Sequence, residues 1–151
     1  MYDRPEFYFI MEGSTVSYTK IITERDINSF AELTGDFSPN HMDEAFMENS
    51  SYGQRIAHGA LLVGYMSTAS SMFVEKFASD IQNYTPVSLG YDRIRFIKPV
   101  FINDAVNISY TVIETEVEVM RSLSQIEIMN QKNDLVAIGS HILKWVPDGE
   151  I

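Results

Sequence analysis

The chain has 151 residues, of which 45% are hydrophobic, and its formal net charge at pH 7 is −10. This length and apolar content predict one compact domain over residues 1–151, and the negative charge disfavours nucleic acid and anionic membrane surfaces as partners. The sequence contains no cysteine, which excludes disulfides, thiolate nucleophiles and cysteine-based metal sites.

The amino-terminal stretch MYDRPEFYFIMEGST carries acidic residues near its start and no sustained apolar run. That composition is unlike a signal peptide, and with the absence of cysteine it favours a cytoplasmic protein. Residues 16–22 then show the partial apolar alternation that is typical of a strand.

A helix is predicted next, over about residues 24–34. Thr23 and Asp26 resemble a capping box, apolar residues recur at helical spacing, and Gly35 ends the pattern. The Gly-Asp-x-x-Pro sequence that follows predicts a loop. Asp43 could then cap a second short helix.

The stretch 59–78 is apolar on nearly every face of a helix, which indicates a helix buried by surrounding protein. Glycine and hydroxyl residues interrupt an apolar run that is already too short for a bilayer, so no membrane span is expected.

Four long strands are predicted after that helix, from Val87 onward, with breaks at proline and Asn/Asp-rich positions. The chain therefore reads as an α+β domain in which a curved antiparallel sheet encloses a central helix. Because such a sheet leaves an edge unpaired, we expect a homodimer or a higher even-numbered homo-oligomer.

Candidate reactive residues are an aspartate and three histidines. Asp36 and His41 lie in GDFSPNHMDEAF, where they could form an acid/base pair or serve as ordinary turn residues. His58 precedes the central helix and could orient the loop, whereas His141 has the surroundings of a satisfied or exposed sheet histidine. No His-x-x-x-His spacing occurs, so no metal site is expected.

Gly59 is the first residue of the predicted central helix. The N–H groups of a first helical turn lack intrahelical acceptors and favour developing negative charge, as an oxyanion hole requires. Glycine could equally serve a tight turn into the helix, and Ser67 could simply ease helix packing. These alternatives remain open on the residues alone.

The segment FAELTGDFSPNHMDEAF is followed, after eight residues, by RIAHGALLVGYMS. The pair resembles the signature of the MaoC-like hydratases, the (R)-specific enoyl-CoA hydratase group, and GYDRIRFIKPVFINDAV is similar to the stretch that enters the family's long strands. The resemblance implies a hot-dog fold, usually dimeric. It also implies that Asp36 and His41 are the catalytic pair, that the Gly59 amide holds the thioester oxygen, and that Ser67 is a pocket serine.

Two letters of the signature loop depart from the family pattern. Ser38 replaces the usual asparagine, and Asn40 replaces an aliphatic residue before the histidine. Ser38 can still donate or accept a hydrogen bond, with a shorter reach, and polar Asn40 could reshape the acyl pocket. We include Ser38 and His58 among the expected substrate-binding residues.

The activity implied by the resemblance is reversible hydration of a trans-2-enoyl thioester to an (R)-3-hydroxyacyl thioester. The expected substrate is an acyl-CoA or an acyl carrier protein thioester, with no further cofactor and no metal. Arg93, Arg95 and Lys98 could meet the CoA phosphates or could form a solvated strand face.

Two other functions fit the same fold. An acyl-CoA thioesterase commonly carries a carboxylate on or near the central helix, and residues 59–74 contain no Asp or Glu. A non-catalytic acyl-thioester-binding subunit is the second alternative, which the joint presence of Asp36, His41 and Gly59 disfavours.

Overall fold

The computed structural model describes residues 12–79 and 81–149, which form one antiparallel sheet, four α-helices and a short 3-10 helix, Val117–Val119. The amino-terminal stretch considered above lies mostly outside these residues. The helices are α1 (Glu24–Thr34), α2 (Pro39–Met42), α3 (Glu44–Glu48) and α4 (Gly59–Ala78). The strands are β1 (Thr15–Ile21), β2 (Tyr84–Phe96), β3 (Ala105–Glu116), β4 (Arg121–Met129) and β5 (Leu135–Pro147).

The five strands are ordered β1-β3-β4-β5-β2, and every neighbouring pair is antiparallel. Buried and partly exposed residues alternate along β4, as expected for a strand with one face on the core. Phe73 of α4 packs against Tyr110 of β3, with ring centroids 5.3 Å apart. The predicted α+β arrangement, a central helix held by the sheet, is therefore confirmed.

Helix α4 supplies the inner layer of the core. Met66, Ala69 and Phe73 have no exposed surface, since the sheet covers one side of the helix. No helix in residues 12–79 and 81–149 combines the length and apolar character needed to cross a membrane.

Local sequence signals predicted the boundaries of several helices correctly. Thr23 accepts a hydrogen bond from the Asp26 N–H, the Asp26 carboxylate accepts one from the Thr23 N–H, and α1 spans the predicted residues. The Asp43 carboxylate accepts from the Phe46 N–H at the start of α3. Helix α4 also has the predicted bounds.

The segment after Gly35 differs from the predicted loop, because part of it is helical. Residues 39–42 form the one-turn helix α2, with Pro39 in its first position. Proline is tolerated there because the first N–H groups of a helix have no intrahelical acceptor. This turn carries His41, so it sets the direction in which the imidazole leaves the backbone.

Strand β2 is one edge of the sheet, and it is irregular. Its register with β5 shifts twice, and Arg93 has a left-handed backbone with φ 53°. Its side chains include exposed apolar groups, among them Leu89 at 51% and Phe96 at 54%. The strand ends at Phe96, earlier than the apolar pattern suggested, and residues 97–100 continue as a wall of the cavity described below.

Candidate active site

The loop between α1 and α2 holds the Asp36 carboxylate in place. Gly35 ends α1 in a left-handed conformation, φ 86°, and its N–H donates to the Ala31 carbonyl at 2.8 Å. Three residues further along the chain, the Ser38 hydroxyl donates to Asp36 Oδ1 at 2.6 Å, and the Ser38 N–H donates to the same oxygen at 3.2 Å. Ser38 thus orients the carboxylate, despite its shorter reach than asparagine.

These two hydrogen bonds from Ser38 are the main reason that the pKa of Asp36 lies below the usual aspartate range. Positive charge on His58 or His41 would also lower the pKa of Asp36. Because the pKa is lowered in the folded state, ionised Asp36 stabilises the fold above the ordinary aspartate pKa of about 3.9. That contribution is lost as the pH falls through the folded-state value. Near neutral pH the group is a carboxylate.

Replacing Ser38 with alanine removes the hydroxyl donor, so the pKa of Asp36 should rise toward the ordinary value. A carboxyl-detected NMR titration measures this shift directly. Ser38→Asn is the matched control, since its side-chain N–H can still donate to the carboxylate and should keep the pKa low. Identical Asp36 titrations in Ser38→Ala and the unchanged protein would contradict the assigned cause.

His41 is oriented by the backbone of a distant segment. Its Nδ1 lies 2.8 Å from the Ile56 carbonyl oxygen, and a carbonyl can only accept, so Nδ1 carries the hydrogen. In the neutral imidazole, Nε2 is therefore the unprotonated nitrogen. The Ile56 N–H in turn donates to the Asn40 carbonyl at 3.0 Å, which locks α2 to the segment before α4.

His58 lies directly behind His41. The rings of His41 and His58 are stacked, with centroids 3.9 Å apart. The centroid of the Phe30 ring lies 4.7 Å from that of His58. His58 Nε2 donates to the Asp36 carbonyl at 3.0 Å, which agrees with the predicted loop-orienting role. Burial lowers the pKa of His58, so the ring is neutral near pH 7 and does not repel a proton on His41.

The fold brings Asp36, His41 and His58 together. One carboxylate oxygen and one ring nitrogen from each histidine all lie within 4.8 Å of one another. Such a set of nitrogen and oxygen donors could hold a metal ion, although no metal was expected from the spacing of the histidines. Distance along the chain was therefore a poor guide to distance in space, and absence of a metal stays a prediction.

Arg55 supports the turn that carries His41, a role that the sequence did not reveal. The side chain is 6% exposed, and its Nε donates to the His41 carbonyl at 2.6 Å. Its two terminal nitrogens donate to Glu24 and Asn28 of α1, at 2.8 and 2.7 Å. The guanidinium thereby joins the first helix to the turn that carries His41.

Replacing Arg55 with methionine should lower the free energy of unfolding by about 2 kcal/mol, because three hydrogen bonds from the buried guanidinium are lost. Urea denaturation measures the effect. Arg25→Met is the matched control, since Arg25 is exposed on α1, and its effect should stay within about 0.5 kcal/mol. Equal losses in the two variants would show that Arg55 is not a structural brace.

A cavity of about 230 Å³ opens beside the cluster, and both His41 and Gly59 line it. Gly59 is the first residue of α4, so its N–H has no acceptor inside the helix. A Cβ atom at this position would overlap the Phe96 ring, so any other residue would require the ring to move. Lys98 also lines the cavity and forms an ion pair of 3.0 Å with Asp134.

The other predicted residues are distributed as follows. Ser38 contacts Asp36, and His58 lies within the cluster. Ser67 lies two helical turns further along α4, in a second cavity that does not include His41 or Gly59. Asn40 contributes its backbone carbonyl.

Comparison with known proteins places these observations in a family. The sequence family described as MaoC like domain matches residues 11–135. An (R)-specific enoyl-CoA hydratase of Rhodospirillum rubrum is 32% identical over 106 residues, covering 70% of this chain and 68% of that enzyme. Protein MaoC of Klebsiella aerogenes is 33% identical over 124 residues, covering 81% of this chain and 35% of that protein. The chain thus spans about a third of the Klebsiella protein.

A solved structure, the (R)-hydratase from Aeromonas caviae involved in PHA biosynthesis, superposes with a TM-score of 0.77 and 24% identity. The alignment covers 91% of this chain and 97% of that one, and it confirms the hot-dog fold implied by the sequence. By the extent of the family match, this chain belongs to the MaoC-like domain family.

Proposed function

We propose that the chain catalyses reversible hydration of a trans-2-enoyl thioester to an (R)-3-hydroxyacyl thioester. The observation that carries the proposal is that His41 lines one cavity together with the first turn of a helix, while a carboxylate lies close to its ring. Hydration needs an acceptor for the water proton, a proton for the α-carbon and a donor to the enolate-like oxygen. The naming of relatives as (R)-specific enoyl-CoA hydratases supports this reading.

The spacing of Asp36 and His41 suits one bridging water molecule. Two hydrogen bonds of about 2.8 Å that meet at a tetrahedral angle span roughly 4.6 Å. One ring nitrogen of His41 and one carboxylate oxygen of Asp36 lie within 4.8 Å of each other, so the two side chains are close enough for such a water. A water held between them would donate one hydrogen to the carboxylate and the other to His41 Nε2.

The two side chains then have different tasks. The low pKa of Asp36 makes its carboxylate a weak base, so it orients the water and stabilises the imidazolium that forms. His41 Nε2 takes a water proton while the hydroxyl oxygen bonds to the β-carbon. The electron pair of the double bond moves toward the thioester oxygen. His41 then returns the proton to the α-carbon, so one water is added in total.

Gly59 completes the chemistry by donating its N–H to the enolate-like oxygen, where the helix dipole also favours negative charge. A thioester placed there would lie against the Phe96 ring, which packs on Gly59. The CoA part of the substrate, or an acyl carrier protein in its place, would extend past Lys98. The side-chain ammonium of Lys98 could contact a phosphate group there.

Gly59→Ala should lower kcat/KM about a hundredfold, because the methyl group pushes the Phe96 ring into the space needed by the thioester. The N–H itself is kept, so the cause is steric. Combining Gly59→Ala with Phe96→Ala should recover part of the rate that Gly59→Ala alone loses. Losses that simply multiply would contradict this contact.

The function is tested by adding purified protein to a short trans-2-enoyl-CoA and following the loss of its enoyl-thioester absorbance. We expect rapid loss, with chiral analysis of the product giving the (R)-3-hydroxyacyl-CoA. Release of free thiol is measured in the same reaction. Thiol release faster than double-bond loss would replace the proposal with a thioesterase.

The two alternatives are less well supported. A thioesterase carboxylate on the central helix would have to come from Glu75, which is exposed near the far end of α4 and distant from Gly59 in sequence. A purely binding subunit would have no need for the oriented Asp36 and His41. Binding of enoyl-CoA without turnover would favour that second alternative.

The assembly is proposed to be a homodimer or a higher even-numbered homo-oligomer. Edge strand β2 carries exposed apolar residues, among them Val87, Leu89 and Phe96, and pairing with a second copy would cover them. Because Phe96 also lines the first cavity, such an interface would border the active site. The cytoplasmic location remains a prediction.

A further inference from the structure

A second cavity, of about 250 Å³, lies between helix α4 and strands β2 and β5. Most of its wall is formed by side chains with hydrogen-bonding groups. These are Ser67, Ser70, Ser71, Ser88, Tyr91 and His141. Ser67, Ser71 and Ser88 are exposed, whereas Ser70 and His141 are buried, so polar groups extend from the opening of the cavity to its floor, where apolar residues are more usual.

His141 forms the polar floor of this cavity. The side chain is 0% exposed, Nδ1 lies 2.8 Å from the Tyr110 hydroxyl, and Nε2 lies 2.8 Å from the Ser88 hydroxyl. Burial lowers the pKa of His141 to about 4, so the ring is neutral near pH 7. In a neutral ring one nitrogen donates and the other accepts. Ser88 can therefore donate to a ligand in one tautomer and accept from it in either.

The wall offers hydrogen bonds without charge. None of the described side chains that line the cavity belongs to Asp, Glu, Lys or Arg, and His141 is neutral. A charged group that entered the cavity would lose water and would find no counterion among the lining side chains. A purely alkyl group would make no use of the hydroxyl groups that line the cavity. A neutral group that donates and accepts hydrogen bonds satisfies both conditions.

The two cavities share the cleft between α4 and β2. Gly59 of α4 and Phe96 of β2 line the first, whereas Ser67 of α4 and Tyr91 of β2 line the second. Gly59 and Ser67 are separated by about 12 Å along the helix axis, at 1.5 Å per residue. A thioester bound at Gly59 could thus extend its acyl chain along α4 toward the second cavity.

Ser67, which the family resemblance implies as a pocket serine, lines this second cavity. We propose that the cavity selects a neutral hydrogen-bonding substituent on the distal part of the acyl chain, such as a hydroxyl, ether or carbonyl oxygen. The inference rests on the proposed hydratase function and adds the substrate class. Ser67 and Ser71, on the exposed side of the cavity, would contact the substituent first. Buried Ser70 would bind it at the floor, and the Ser88 hydroxyl, which His141 positions, would bind it near the opening.

The test compares 2-enoyl-CoA substrates of equal chain length, with and without a terminal hydroxyl, over a series of lengths. At the length that reaches the cavity, the hydroxylated substrate should have about tenfold higher kcat/KM, the effect of one well-formed hydrogen bond. Equal values, or a preference for the alkyl substrate at every length, would overturn the inference.

Ser67→Ala combined with Ser71→Ala should reduce the preference, because both changes remove a hydroxyl and little volume. Ser29→Ala is the matched control, since Ser29 is exposed on α1, and it should leave the preference unchanged. A preference that survives the loss of both hydroxyls, and also survives Ser70→Ala, would contradict the assigned binding groups.

Binding without turnover separates this inference from the hydratase function. The dissociation constants of saturated acyl-CoAs, with and without the terminal hydroxyl, can be measured by calorimetry. Tighter binding of the hydroxylated compound supports the polar cavity even if no hydration occurs. Rapid hydration of short enoyl-CoA together with equal binding of both compounds would refute the cavity and leave the hydratase function intact.

Discussion

Replacing Asp36 with asparagine is expected to lower kcat/KM for enoyl-thioester hydration about a thousandfold, within the range of general acid–base effects. The amide has nearly the shape of the carboxylate, but it carries no charge to orient the water or to stabilise imidazolium on His41. The loss should appear mainly in kcat, because Asp36 contacts the water and not the acyl chain. Initial rates over a range of substrate concentrations measure the division between kcat and KM.

Asp43→Asn is the matched control for this variant. Asp43 lies in the same segment and caps α3, and asparagine is an equally good capping residue. Its rate and its midpoint of urea denaturation should equal those of the unchanged protein. If Asp36→Asn also kept its rate, the proposed use of the carboxylate would be wrong. A matching loss in both variants would instead indicate general damage to the loop.

The sequence predicted the parts of this structure that depend on neighbouring residues. Thr23 and Asp26 cap each other across three positions, and Gly35 ends α1 by adopting a left-handed backbone. Apolar content around all faces of residues 59–78 correctly identified the buried helix. Such signals are local, because the hydrogen bonds that produce them join residues within one helical turn.

The geometry of the cluster was much harder to predict, because it depends on contacts between separate segments. His41 is fixed by Ile56, His58 by the Asp36 carbonyl, and Arg55 by two residues of α1. Periodicity carries no information about such contacts. The two motifs pointed to Asp36 and His41 through their resemblance to a family, whereas they gave no indication of the contacts that Arg55 makes with α1.

Replacing His41 with asparagine should also lower kcat/KM by about a thousandfold or more. The asparagine amide can still donate to the Ile56 carbonyl, as Nδ1 does in the native protein, so the local turn is preserved. It has no basic nitrogen in the position of Nε2. His41→Ala removes the orienting hydrogen bond as well, and it should therefore lose stability in addition to activity.

The combination of Asp36→Asn with His41→Asn distinguishes a cooperating pair from two separate contributions. If one water is held by both groups, removal of either already disables the proton transfer, and the second change has little left to remove. The double variant should then be about as slow as the slower single variant, because residues that act as a unit are not additive. Losses that multiply would mean that Asp36 and His41 act on different steps, and the shared water would have to be abandoned.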